Sequence, residues 1–141
     1  MPIYGNGRLA LDLRASTFET NDLRINGAIV NGTSLVITAP SNNKTEFDKF
    51  DDIKYKAAKY TILGKSANYT QMCEVLISVP IDNGDGPIIS VYGVVTGDDS
   101  VFDYFTITAE RTTDGSHDIQ LFINNKSNQD FEVSALRTYI I

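Results

Sequence analysis

Tryptophan is absent from the 141 residues, and cysteine and histidine each occur once, as Cys73 and His117. A lone cysteine excludes an intrachain disulfide. Its place inside the apolar run CEVLISV reads as a buried thiol, because reactive thiols need an electropositive, partly exposed setting. A lone histidine gives a Ser-His-Asp or Cys-His arrangement one residue to build on. No G-x-S-x-G elbow accompanies it, and His117 follows an Asp114-Gly115 turn, so it reads as an exposed turn residue. No stretch approaches the ~18 consecutive apolar residues of a membrane span. The opening MPIYGNGRLALDLR has no basic segment followed by a long apolar one, so a cytoplasmic origin without a cleaved signal is expected, with no membrane partner. The 12 Lys and Arg are scattered among 18 Asp and Glu, for a net charge of -6. Nucleic-acid binding needs clustered cations and is not expected; an acidic surface favours solubility.

What is present reads as strand. The length fits one domain with a core that needs no staple. In VFDYFTITAE, Val101, Phe105, Ile107 and Ala109 fall on one face, and DIQLFINN places Ile119, Leu121 and Ile123 together. The intervening RTTDGSHD predicts a hairpin, with Gly115 taking the positive φ. Further strands are predicted at 59–63, 72–79, 88–95 and 131–140, separated by turns at the short intervals of a sandwich. The expected fold is all-β, an antiparallel β-sandwich of jelly-roll-like type over residues 58–141. Residues 1–57 are expected to form an arm or a small extra sheet used for attachment. There RLALDL, LRINGAIV and SLVITA read as short strands, with Asn26-Gly27 and Asn31-Gly32 as turns, while Phe47 and Phe50, three apart, suit a single helical turn. The last strand is apolar on both faces and ends on Tyr139, Ile140 and Ile141. Such a strand is central in a core or covered by a neighbour, which makes Leu136, Tyr139, Ile140 and Ile141 candidates for a subunit interface.

Motifs that carry chemistry are weak. DNGDGP at 82–87 has the look of a calcium loop, but Gly84 fills the second ligand place and Gly93 stands where the closing Glu belongs, so it reads as a turn. Asp98 and Asp99 in TGDDS read as a solvated loop. Neither a G-x-G-x-x-G nor a P-loop pattern is present, and no cofactor, metal or catalytic residue is assigned. Paired carboxylates for glycoside hydrolysis depend on a separation set by the fold, and the acidic residues mostly flank turns. Four N-x-[ST] tripeptides begin at Asn31, Asn43, Asn68 and Asn125 and are read as turn and surface asparagines. Among seven Tyr and seven Phe, Tyr69, Tyr92 and Tyr104 are candidates for stacking on a host-surface glycan. The competing reading, core and interface packing, is the favoured one.

The stretches KYTI (59–62), NYTQMCEVL (68–76), VYGVVTG (91–97), FTI (105–107), IQLFI (119–123) and VSALRTYI (133–140) occur in a telling order. Residues 59–141 resemble a β-rich module at the C-terminal end of virion structural and tail-fibre proteins of tailed bacteriophages, especially those of marine bacteria and cyanobacteria. Family members tend to carry the module at the end of a long fibre, whereas here residues 1–58 precede it. The resemblance implies a small, non-enzymatic virion component: a capsid decoration, collar or tail-fibre accessory subunit. It also implies a homotrimer as the self-associated form and capsid or tail proteins as further partners.

Overall fold

The computed structural model describes residues 37–81, 85–97 and 103–140 in full, and strand backbone at 3–4, 8–9, 22–25 and 28–36. Among the described residues eleven strands follow in chain order: β1 (Ile3–Tyr4), β2 (Arg8–Leu9), β3 (Asp22–Ile25), β4 (Ala28–Ala39), β5 (Lys44–Asp51), β6 (Ala57–Lys65), β7 (Thr70–Ser78), β8 (Ile88–Thr96), β9 (Phe105–Arg111), β10 (Asp118–Asn125) and β11 (Phe131–Ile140). Alternation decides which side of each strand is buried. On β6 the inward positions are Ala58, Tyr60, Ile62 and Gly64, on β7 Gln71, Cys73, Val75 and Ile77, and on β10 Ile119, Leu121 and Ile123. A six-stranded sheet in the order β3-β4-β11-β6-β7-β8 faces a three-stranded sheet in the order β5-β10-β9, and every pairing is antiparallel. This is an antiparallel all-β sandwich, with the apolar inner faces of both sheets forming one core. β1 and β2 make a small ladder of their own.

Three features depart from the sequence expectations, each for a local reason. The segment at Phe47 and Phe50 is strand, not helical turn. Opposite β5, Leu121 pairs with Asp48 and Phe122 with Glu46, so Phe47 is an extra residue in a β-bulge. The bulge resets the two-residue rhythm, and two phenylalanines three apart both reach the core. The expected boundary at 57/58 does not hold either: β4 pairs with β11 and β5 with β10, so residues from 28 onwards build both sheets. Asn31-Gly32 lies within β4 rather than at a turn, at the register irregularity where Ala135 faces Leu35 and Arg137 faces Asn31. Asn26-Gly27 separates the paired residues Ile25 and Ala28 but lies outside the described residues.

The β9–β10 hairpin forms as expected, through a wider loop than a two-residue turn. Thr112 N donates to Asp118 O, Asp114 Oδ1 accepts from Ser116 N, and Gly115 takes φ +82° while His117 takes φ +58°. One inward glycine is fixed by its neighbours. A Cβ on Gly64 would lie 2.5 Å from the Phe105 ring and 3.1 Å from Phe131. Gly64→Ala is therefore expected to lower stability by about 1–3 kcal/mol through overpacking, read as a lower denaturant midpoint. Gly86→Ala, with no atom within 4 Å of the added carbon, should stay within about 0.5 kcal/mol of the parent.

Candidate functional site

Where the two sheets close on each other, a carboxylate is held between them. Asp48, carried inward by the β5 bulge, accepts hydrogen bonds at Oδ2 from the Tyr60 and Tyr139 hydroxyls, both at 2.8 Å, and at Oδ1 from Arg137 Nη1 at 2.5 Å. Tyr60 and Arg137 face each other across β6 and β11, so strand register brings the donors together. Both phenols are pushed above the ordinary tyrosine value, first by burial and then by the Asp48 charge. Aromatic packing surrounds them: Tyr139 lies 5.0 Å from the Tyr55 ring and 5.3 Å from Phe50. This cluster cross-links the layers. The two phenols and Arg137 Nη1 are all engaged by Asp48, while Arg137 Nε is buried without a hydrogen-bond partner, and the arrangement acts as a structural tie.

A second internal charge pair lies at the β5 end. Asp52 is buried, with Arg111 Nε 3.4 Å and His117 Nδ1 3.8 Å from its carboxylate oxygens, and Asp52 N donates to His117 O. Neutral polar groups complete the interior. Gln71 donates to Phe105 O and accepts from the Tyr104 and Phe105 amides, while Asn125 donates to Ala39 O and Gln129 O. Asn125 is thus a buried loop anchor and not the surface asparagine expected. Cys73 is buried as expected, beside a cavity of about 230 Å³ between β7, β8 and β9 that Asp103 and Phe105 also line. Burial, with the Asp103 charge adding to it, pushes the thiol up to about 11. Among the described residues no group of three or more His, Cys, Asp or Glu is placed to hold a metal ion.

The candidate contact residues separate. Tyr69 and Tyr104 stack on each other at 4.4 Å, with Tyr104 also 6.0 Å from Phe131. Tyr92 lies elsewhere, on the outward side of β8 opposite Glu74, so the three rings form no common platform. Leu136 and Ile140 are each 50% exposed on the outward side of β11. Tyr139 does not belong with them: it points inward to Asp48 at 7% exposure, because its neighbours on a strand alternate sides. Ile141 lies outside the described residues, as do Asp98, Asp99 and the first three residues of DNGDGP.

The outward side of the large sheet holds what the sequence reading left out. Leu63 on β6, Met72 and Leu76 on β7, and Ile88 and Val95 on β8 are exposed and, with the candidate Tyr92, continue the surface of Leu136 and Ile140. In MCEVLISV, Met72 and Leu76 stand on the side opposite Cys73, Val75 and Ile77, which was the available signal. The outward side of the small sheet differs. There Lys44 pairs with Glu110 and lies over the Phe122 ring, Gln120 donates to Glu46, and Asn124 donates to Thr108. Compared with family models and with curated proteins, the chain matches none.

Two measurements follow from these groups. Tyr60 and Tyr139 hold their protons in the fold at a pH where unfolded phenols ionise, so stability is complete below about pH 10 and falls as pH rises above it. Urea midpoints should drop between pH 8 and pH 11, and Tyr60→Phe should flatten that slope. Cys73 should react with a disulfide reagent at pH 8 at least about 100-fold slower in the native protein than in urea, in keeping with a buried neutral thiol.

Proposed function

We propose that the chain is a bacteriophage virion structural protein. It acts as a small non-enzymatic assembly subunit of the capsid-decoration, collar or tail-fibre accessory kind, through self-association and docking on the particle. The observation that carries this reading is the contrast between the two outer faces: the small sheet turns polar, paired groups to solvent and the large sheet turns out half-exposed Leu, Ile, Met and Val. The resemblance of residues 59–141 to the phage module supports it, and those residues coincide with β6 to β11. Asp48, Gln71 and Asn125 are engaged in holding loops and layers, which suits a subunit whose work is binding.

In this reading the subunits are made in the host cytoplasm, form a homotrimer, and join capsid or tail proteins in the virion. Since β3, β4 and β5 belong to the sheets, the docking role first given to residues 1–57 falls to the residues before β3. A glycan-binding module is the weaker alternative, because Tyr69 and Tyr104 already cover each other and Tyr92 stands apart. Antiserum against the purified chain should label phage particles produced by the host that carries the gene, at a copy number that is a multiple of three. Particles free of the protein would overturn the assignment.

A further inference from the structure

The outward side of the six-stranded sheet reads as rows across the strands. Leu63, Met72 and Val95 lie side by side and form a row of exposed large side chains. Ile140, Ala57, Ser78 and Ile88 form another row, large at both ends and small in the middle. That second row borders a shallow apolar hollow of about 420 Å³, with Leu76 in its wall. One face therefore carries a row of exposed large side chains beside a depression, so apolar side chains of one copy can seat in the hollow of another.

Charge points to the same occupant. The chain carries a net charge of -6, yet on this face Lys59 stands 3.7 Å from Glu74 and Lys65 stands 3.7 Å from Glu132. Each cation has its anion within the face, so two copies can meet here without net repulsion. Elsewhere on an acidic surface, like copies repel. The half-exposed apolar side chains leave an area on the order of 600–800 Å², above the ~300–600 Å² largest patch of a typical monomer and close to the ~800 Å² each partner buries in a standard interface. The patch runs to the sheet's outermost strand, β8, whose sequence IISVYGVVT has no charged residue. Edge strands that stay solvent-exposed are ordinarily protected by charge.

From these observations we infer that the outward face of β11, β6, β7 and β8, centred on Leu76, is the surface on which a second copy of this chain docks. The inference rests on the self-associating reading above and specifies its contact. It moves the interface from the chain end to the middle of the sheet, keeping Leu136 and Ile140 as its margin.

Light scattering on the full chain across a dilution series tests it. The parent protein should run at a multiple of 15.5 kDa. Leu76→Arg should weaken association at least about tenfold with an unchanged melting curve, and Gln120→Arg, on the outward side of the small sheet, should leave it intact. Leu136→Gln, a polar replacement of similar size at a half-exposed site, decides the question if Leu76→Arg does not fold. An oligomer that survives Leu76→Arg and Leu136→Gln in folded protein overturns this surface and leaves the virion reading standing. A parent that remains a single chain at every concentration overturns the surface too. If particles nevertheless contain that single chain, the face is occupied by another virion protein; if they lack it, the virion reading fails as well.

Discussion

The structure depends on β11 sitting inside the large sheet rather than at its edge. Pairing with β4 on one side and β6 on the other, the last strand joins segments that are otherwise separate in the sheet. Its inward side alternates Phe131, Val133 and Ala135, then presents Arg137 and Tyr139 to Asp48 of the opposite sheet. One strand thus closes the sheet by backbone hydrogen bonds and the sandwich by a buried ion pair. Removing one partner of such a pair leaves the other charged and desolvated, so the pair also penalises other alignments of the two layers.

The interior and the exterior of the large sheet use the same alternation for different ends. Inward positions of β6 and β7 complete the core, while the outward positions of the same strands mix exposed Leu63, Met72 and Leu76 with the charged Lys59, Lys65 and Glu74. The small sheet obeys the ordinary pattern, with charged and amide side chains outward. This inequality is the observation on which the assembly proposal rests. Gln71 is bonded to the start of β9 and Asn125 to the β10–β11 loop, while Asp52 is held by its ion pair with Arg111 and by its amide to the β9–β10 loop.

Much of the fold was legible because period-two patterning is local. β6 to β11 were placed to within a few residues, apart from β9, which begins at Phe105, and the burial of Phe105, Ile107, Ile119, Leu121 and Ile123 followed from alternation alone. Bulges were not legible. An extra residue at Phe47 turns a strand into something with helical spacing, and the irregularity in β4 made Asn31-Gly32 resemble a turn. Asp48 was missed for the same reason, although its two-residue offset from Phe50 places it inward once the segment is read as strand. The tyrosines failed as a group because sequence reports ring type and not ring neighbours.

The sequence by itself determined the all-β class, most strand positions, the buried thiol and the two-sided apolar character of the final strand, since these follow from composition and the side-to-side geometry of extended chain. Only the tertiary structure decided which strands became neighbours, that β4 and β5 belong to the sandwich, that Tyr139 turns inward to Asp48 while Leu136 and Ile140 turn outward, and that scattered apolar residues from four strands share one face. Those outcomes rest on pairings between residues far apart in the chain, and no local pattern records a partner's register.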